Sequence, residues 1–515
     1  MIVKVKEGYL QGEFRDGLYQ FKGVPYAKAP IGDGRFSAPE PVAPWGGVRS
    51  ARQCGPVCPQ ISKIMIQGEI ESEDCLYLNI ITPKADDEKR SVMVWIHGGV
   101  FALGSGSSRL YRGNDFVSKE NVVFVTINYR LGPLGFLYFN DLQGDISGFD
   151  DNIGIRDQAA AIQWVIQNIG QFGGDPENIT LWGQSAGATS VLTLLTLPDL
   201  QGKIRGAIVQ SPSHHSLWSR EEAAWNTRRL LGKLGVKEDD LSPLKTMPVY
   251  KIIRAAKLLF RKGEPLATRS FVPTYGTSFL PHSIDEFSMQ NVFPPLLIGF
   301  TDKESFLFTN TRIGLMTLDR SVYEKIINQL DPVSAQRLLD GYGQLQKPQQ
   351  ISDLITDVVW QIPVLQLSEK ISEKSPLWVY RISWQSQLMR WLGIGAFHGI
   401  DLLLHFNMVR NRWLLNFLHG VHLNSSKHLG MQIRRYWSNF AKYQNPAQDD
   451  LPEWNVFRDK NHQWILDLDK KITLSKDLYS SKLAIWKTVP PRLILESMQQ
   501  LEVNKSVTVK SKRNK

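Results

Sequence analysis

The chain has 515 residues, of which 42% are hydrophobic and 21% charged, which is the balance of a globular protein and not of a disordered or fibrous one. No uninterrupted apolar stretch reaches the ~18 residues that a membrane-spanning helix needs, so we expect no transmembrane segment. The net charge of +10 does not indicate nucleic-acid binding, because much of the excess lies near the C-terminus, at Lys505, Lys510, Lys512, Arg513 and Lys515. Residues 501–515 are therefore predicted to be a disordered basic tail, with weak attraction to anionic membranes as the alternative.

The N-terminal residues and the cysteines are evidence about the cellular compartment of the protein. Residues 1–9 carry charges every second or third position and lack the apolar core of a secretory signal, which favours a cytoplasmic location unless the sequence is a processed form. The three cysteines, Cys54, Cys58 and Cys75, are too few for a disulfide scaffold. No CxxC pair or nearby histidine cluster indicates zinc, and composition leaves a single disulfide open.

Short β-branched segments alternate with longer helical patterns along the chain. They predict buried strands at residues 91–96, 121–129, 178–182, 205–210, 295–300 and 377–383. Helical spacing of apolar residues predicts a helix over 155–170. This alternation is typical of an α/β protein with a mostly parallel sheet. Residues 212–290 and 310–375 are helix-rich, and we interpret them as insertions that cover one end of the sheet within a single domain over residues 1–500.

A serine motif follows the third predicted strand. Residues 183–187 read GQSAG, which matches G-x-S-x-G, and a small-residue helical pattern comes after them. Gly183 and Gly187 leave room for a sharp strand-to-helix turn, which would expose Ser185 and direct free helix N–H groups toward it. The alternative, an ordinary glycine-rich turn, explains the pentapeptide but not its strand and helix flanks. The pattern therefore predicts Ser185 as a catalytic nucleophile.

The segment from 152 to 188 resembles the signature region of the type-B carboxylesterase family, which includes the cholinesterases. Further blocks agree in the order of the family: FKGVPYAKAP at 21–30, SEDCLYLNI at 72–80, HGG at 97–99, NYRLGPLGF at 128–136, FHGID at 397–401, WSNFAKYQNP at 437–446 and PEWNVF at 452–457. The resemblance runs from about residue 5 to about residue 490. It implies an α/β-hydrolase fold with helical insertions over the active site and hydrolysis of small-molecule carboxylic esters without a cofactor or metal.

A serine nucleophile needs a base, and the base needs an acidic group to orient it. Only His398 lies in a glycine-rich apolar segment late in the chain, and it falls on the catalytic histidine position of the family. For the acid, which lies between serine and histidine in this class, the resemblance selects Glu304. Asp302 stays as the alternative, because the residues flanking Glu304 depart from the family pattern. Surface or helix-packing roles suit the later histidines better: His405, His419, His422 and His428.

The HGG segment after the first predicted strand supplies the remaining part of the expected site. By position in the family, the oxyanion would be held by the backbone N–H groups of Gly99, Val100 and Ala186. The family usually has a glycine where Val100 stands, and a valine resists positive φ and adds two methyl groups beside the acyl group. We therefore predict a tight acyl pocket that favours small to medium acyl groups. The alternative is that Val100 impairs the oxyanion hole.

The resemblance also implies two scaffold features: a Cys58–Cys75 disulfide, with Cys54 unpaired, and a buried ion pair between Arg35 and Glu73. The loop between Cys58 and Cys75 contains no tryptophan, which argues against choline esters.

One candidate metal site and several alternative functions remain to be considered. His214 and His215 are a weak metal candidate, because adjacent residues rarely bind one ion and no carboxylate partner is evident. Lipase or thioesterase activity at the same site, or a non-catalytic binding protein on the same fold, are the alternative functions.

Overall fold

The computed structural model describes residues 1–66, 68–259, 271–309, 316, 319–406, 423–448, 450–458, 462–487 and 489–495. The predicted basic tail lies outside the described residues, as do His419 and His422. Within the described ranges, no helix combines the length and the apolar character that crossing a membrane requires.

The strands form one large sheet and one small sheet. They are β1 (Ile2–Val5), β2 (Gly8–Gln11), β3 (Glu13–Arg15), β4 (Leu18–Pro25), β5 (Val48–Ser50), β6 (Tyr77–Thr82), β7 (Arg90–Ile96), β8 (Val123–Ile127), β9 (Gly174–Gln184), β10 (Gly206–Gln210), β11 (Leu296–Thr301), β12 (Leu377–Ile382), β13 (Trp464–Leu468) and β14 (Thr473–Lys476). The large sheet has the order β14-β13-β12-β11-β10-β9-β7-β8-β6-β4-β3, and β1, β2 and β5 form the small one.

The centre of the large sheet is parallel, and both of its edges are antiparallel. Neighbouring strands from β8 through β7, β9, β10, β11 and β12 to β13 are parallel. The six predicted strands correspond to β7–β12 and are confirmed. Every residue of β7 is buried, because alternate side chains pack into separate clusters on the two faces: Val92, Val94 and Ile96 on one, Met93 and Trp95 on the other.

Helices cover both faces of this sheet. They are α1 (Asn114–Glu120), α2 (Ile153–Asn168), α3 (Ala186–Leu195), α4 (Arg220–Leu234), α5 (Ser242–Thr246), α6 (Val249–Leu259), α7 (Ile284–Gln290), α8 (Phe306–Thr309), α9 (Arg320–Ile327), α10 (Pro332–Gly341), α11 (Pro348–Thr356), α12 (Ile362–Ser372), α13 (Gln387–Trp391), α14 (Ile400–His405), α15 (Leu423–Tyr443) and α16 (Ser480–Trp486). The predicted helix is α2, which begins two residues earlier than expected. The segments interpreted as insertions contain α4–α7 and α9–α12.

A buried ion pair that we did not predict joins α2 to the loop after β8. Arg130 donates from Nε and Nη2 to Asp157 Oδ2 and Oδ1, at 2.8 and 2.7 Å, and its backbone N–H donates to Oδ2 at 3.0 Å. Both side chains are almost fully removed from solvent. Removing one charge of such a pair leaves the other uncompensated in a region of low polarity.

We therefore expect Asp157→Asn to lower the free energy of unfolding by about 3–5 kcal/mol, measured by urea denaturation. Glu40→Gln is the matched control, because Glu40 pairs with Lys28 through side chains that are about 60% exposed. That change should cost less than about 1 kcal/mol. Equal costs for the two substitutions would show that the buried pair has no special role in stability.

The two scaffold features implied by the resemblance have different outcomes. Arg35 Nε and Nη2 donate to Glu73 Oε2 and Oε1 at 2.5 and 2.6 Å, so the predicted ion pair is confirmed. Arg35 also donates to the carbonyl oxygens of Leu244 and Met247. The ion pair therefore ties the segment before β6 to the α5 region.

The predicted disulfide is absent, because the structure holds Cys58 and Cys75 as free buried thiols and Cys54 as a free exposed one. Cys58 Sγ instead accepts the backbone N–H of Leu131 at 3.2 Å. The hydrogen bond between the two thiols, together with burial, holds the pKa of Cys75 well above its usual value. Cys75 therefore stays protonated and unreactive near neutral pH.

Candidate active site

Ser185 lies on a sharp turn between β9 and α3. Its backbone has φ 59° and ψ −127°, a conformation that L-residues rarely adopt. The turn is possible because Gly183 and Gly187 have no side chains. A Cβ on Gly183 would lie 2.4 Å from Gly187 C, and a Cβ on Gly187 would lie 2.1 Å from Ile96 O. The backbone N–H of Ser185 donates to Gln210 O at 2.8 Å, which anchors the turn to β10.

His398 and Glu304 are far apart in sequence but contact each other in the fold. His398 Nδ1 lies 2.5 Å from Glu304 Oε2, and both residues are buried. Glu304 Oε1 accepts the backbone N–H of Thr301 at the end of β11, at 2.7 Å. The alternative acid, Asp302, faces elsewhere: its Oδ1 lies 3.6 Å from Arg381 Nη1. The geometry therefore favours Glu304 over Asp302 as the partner of His398.

The other nitrogen of His398 contacts a residue that sequence reasoning missed. Gln184 Nε2 lies 3.1 Å from His398 Nε2, and within the described part of the chain no hydrogen bond joins that nitrogen to Ser185 Oγ. An amide nitrogen can only donate and a carboxylate can only accept, so these partners define the neutral tautomer with the proton on Nδ1. His398 Nε2 is thus an acceptor, as a general base requires. The signal in the sequence was the glutamine inside GQSAG.

The predicted oxyanion segment packs directly against the serine turn. A Cβ on Gly98 would lie 2.6 Å from Gln184 O and 3.1 Å from Ser185 Cβ, so only glycine permits this approach. Among the described residues, the N–H groups of Gly99 and Val100 donate to no protein acceptor. The N–H of Ala186 is at the first turn of α3, where helix donors lack intrahelical partners. The three N–H groups predicted to hold the oxyanion thus have no acceptor among the described residues.

Val100 adopts the conformation that its side chain disfavours. Its φ is +51° and that of Phe101 is +56°, while Gly99 has φ +118°. Valine resists positive φ, so the backbone at Val100 is strained. A left-handed β-branched residue costs on the order of 1–3 kcal/mol. Contacts around the segment hold it: Leu103 N–H and Ala102 N–H both donate to Gly99 O, and Phe101 packs edge-on against Phe136.

Two aromatic side chains that were not predicted form a wall beside His398. Its ring lies 5.2 Å from that of Phe308 and 5.4 Å from that of Trp360, measured between centroids. Trp360 belongs to a π-helical turn, Asp357–Gln361, between α11 and α12. Gln361 Nε2 in the same turn donates to Thr301 O at 2.9 Å, at the end of the strand that leads to Glu304. Such turns are frequent at functional sites, because they redirect one side chain without ending the helix.

A second buried polar network lies behind His398 and Glu304. Gln210 Nε2 donates to Asp401 Oδ2 at 2.5 Å and lies 3.3 Å from His405 Nε2. His405 is fully buried in α14, so of the two roles expected for it, helix packing applies and surface exposure does not. His428, in contrast, is exposed. Burial, and next the charge of Glu304, raises the pKa of Asp401 to about 7.

This raised pKa predicts a measurable pH dependence of stability. The folded state holds a proton on Asp401 that the unfolded chain releases near pH 4, so this contribution is complete at low pH and is lost as pH rises toward 7. Relative to Asp401→Asn, the unmodified protein should lose on the order of 3 kcal/mol of unfolding free energy between pH 5 and pH 8. Urea midpoints for both proteins at the two pH values measure this. Parallel changes in the two proteins would contradict the assignment.

Comparisons with known proteins agree with the geometry. A family model described as the carboxylesterase family matches residues 1–486. The para-nitrobenzyl esterase of Bacillus subtilis (strain 168) is 33% identical over 491 residues, covering 93% of this chain and 97% of that protein. The phenmedipham hydrolase of Pseudarthrobacter oxydans is 32% identical over 499 residues, with the same coverage of 93% and 97%. A solved para-nitrobenzyl (PNB) esterase structure has a TM-score of 0.84 at 32% identity and covers 94% of this chain and 99% of that one.

A mostly parallel sheet covered by helices on both faces, with a serine on the turn after a central strand, defines an α/β-hydrolase. Within that class, the chain belongs to the carboxylesterase family. It is a carboxylic-ester hydrolase that acts on small-molecule esters. The resemblance, the fold class and the enzyme class expected from the sequence are confirmed.

Proposed function

We propose that Ser185 is the nucleophile, His398 the general base and Glu304 the acid that orients it. The observation that carries this proposal is the pairing of a strained, glycine-flanked serine turn with a buried histidine whose Nδ1 is held by a buried carboxylate. The carboxylate fixes the tautomer and stabilises the imidazolium that forms during the reaction. This arrangement converts a weakly nucleophilic hydroxyl into an effective one.

The reaction proceeds in two acyl-transfer steps. His398 Nε2 takes the proton of Ser185 Oγ while that oxygen attacks the ester carbonyl, so the Gln184 amide must first release Nε2. The N–H groups of Gly99, Val100 and Ala186 stabilise the oxyanion, each contributing roughly 10²–10³ in rate. The alkoxide leaves with a proton from Nε2. Water then attacks the acyl-enzyme in the same way and releases the carboxylic acid and free Ser185.

A shared acyl-enzyme can be tested by partitioning. Hydrolysis of para-nitrophenyl butyrate and of para-nitrobenzyl butyrate in the presence of methanol should give the same ratio of methyl butyrate to butyric acid. Both esters deliver the same acyl group to Ser185, and the leaving group has departed before methanol and water compete. A ratio that changes with the leaving group would mean direct attack of water on the ester and would overturn the proposal.

The acyl side of the substrate is limited in size by Val100. Val100 is one of the proposed oxyanion donors, and its side chain would therefore border the acyl group. On the alcohol side, the aromatic wall of Phe308 and Trp360 beside His398 suits an aryl or benzyl group. The names of two relatives, para-nitrobenzyl esterase and phenmedipham hydrolase, support this choice. The proposed substrates are aromatic esters of small to medium acids.

Replacing Val100 by glycine should therefore broaden the acyl range. We expect the ratio of kcat/KM for para-nitrophenyl pivalate to that for the acetate to rise about tenfold, the value of one or two methyl groups in an apolar pocket. Val100→Ile is the matched control and should lower the same ratio. An unchanged or lower ratio for the glycine variant would show that Val100 does not border the acyl group.

A further inference from the structure

Two histidines and one carboxylate converge at a place separate from the proposed triad. His214 and His215 lie in a short 3-10 turn after β10, and Asp285 lies in the first turn of α7. Asp285 Oδ2 is 2.9 Å from His215 Nε2 and 3.7 Å from His214 Nε2. The sequence makes no carboxylate partner of the histidine pair evident, and the fold supplies one from 70 residues further along the chain.

The buried histidine of this cluster lacks the partners that buried polar groups normally have. His214 is 4% exposed, and within the described residues neither of its ring nitrogens has a hydrogen-bond partner. His215 Nδ1 likewise has no hydrogen-bond partner among the described residues. An unpaired buried polar group costs free energy and calls for a specific explanation.

The donor atoms have nearly the spacing of a tetrahedral metal site. Zinc bonds of about 2.0–2.1 Å place adjacent tetrahedral ligands about 3.4 Å apart. The two distances to Asp285 Oδ2, 2.9 and 3.7 Å, bracket that value, and all three donor atoms lie within 4.8 Å of one another. Rotation of the two imidazole rings would bring both histidine-to-Asp285 distances to that value. Two nitrogens and one carboxylate oxygen with a free fourth position form a donor set typical of zinc.

We propose that His214, His215 and Asp285 bind one zinc ion, with water as the fourth ligand. Lys370 Nζ donates to the other oxygen of Asp285, Oδ1, at 2.7 Å, which holds Oδ2 toward the histidines. The ammonium charge opposes that of the ion and limits its affinity. Nothing in this proposal depends on the esterase reaction.

The site would fasten the turn after β10 to α7 close to the nucleophile. Ser213 N–H, next to the histidine pair, donates to Thr189 Oγ1 at 3.0 Å, and Thr189 Oγ1 in turn lies 3.3 Å from Ser185 O. A ligand that binds the folded chain and not the unfolded one raises the midpoint of thermal unfolding. The expected consequence of zinc is therefore a more stable protein.

Zinc titration of untagged, EDTA-treated protein tests the proposal. Calorimetry should show one zinc ion per chain, and cobalt substitution should give the visible absorption of tetrahedral Co²⁺. We expect His215→Gln and Asp285→Asn each to weaken binding at least tenfold and to remove the absorption, whereas exposed His428→Gln leaves both unchanged. Thermal midpoints in EDTA establish that the variants are folded. No binding by the unmodified protein in excess zinc, or equal binding by both ligand variants, would overturn the proposal.

Discussion

Ser185→Ala should lower kcat for para-nitrophenyl acetate by roughly 10⁶-fold. The substitution removes only the hydroxyl oxygen, so the β9–α3 turn and the three oxyanion donors keep their positions. Without the nucleophile, the site can bind the ester and stabilise charge but cannot form the acyl-enzyme. Residual turnover should be limited to what positioning and the oxyanion donors provide to direct attack by water.

Ser190→Ala is the control for this prediction. Ser190 lies on the same helix, α3, is fully buried, and has no hydrogen-bond partner for its hydroxyl within the described structure. Its loss should leave kcat unchanged within about twofold, because surplus buried hydroxyls contribute little. If Ser185→Ala kept more than about 1% of the activity, the loss would be far smaller than the loss expected on removing a triad nucleophile. The proposed role of Ser185 would then be wrong.

Glu304→Gln should lower kcat by about 10⁴-fold, the cost of the equivalent change in serine proteases. The amide is nearly the same shape but carries no charge to stabilise the imidazolium of His398. It also presents a donor to one of two partners that both need an acceptor, the Nδ1–H of His398 and the N–H of Thr301. The ring of His398 would then favour the wrong tautomer.

Asp302→Asn decides between the two acids that the sequence left open. Asp302 lies two residues away but faces Arg381, so its substitution should change kcat by less than threefold. Steady-state kinetics of both variants, with thermal midpoints as a check on folding, give the comparison. A large loss for Asp302→Asn together with a small loss for Glu304→Gln would reverse the assignment.

Sequence patterns identified β7–β12 of the parallel core but neither β13, which is parallel to β12, nor the antiparallel edges of the sheet. Strands β7–β12 contain short apolar segments that are buried on both faces of the sheet, and their regular alternation with helical patterns identified them as a series. At the two edges of the large sheet, the residues of β3 and β14 are exposed or half-buried, and those of β1 in the small sheet alternate between exposed and buried. Segments of three or four residues carry too little periodicity to predict a strand.

The same limit applies to the site. Ser185 lies in a local motif and His398 in a distinctive segment, so both could be predicted as site residues from the sequence. The contact of Gln184 with His398, the ring packing of Trp360 and the approach of Asp285 to the histidine pair depend on how distant elements pack. The placement of the Cys58 thiol against the backbone N–H of Leu131 likewise depends on packing between distant segments.

Covalent labelling with diethyl para-nitrophenyl phosphate, followed by peptide mapping, tests directly whether Ser185 is the nucleophile. This reagent phosphorylates an activated serine and does not require turnover. We expect one diethylphosphoryl group per chain, attached to Ser185, with no labelling of Ser185→Ala and slow labelling of His398→Gln. Stoichiometric labelling at another serine, or undiminished labelling of Ser185→Ala, would contradict this assignment.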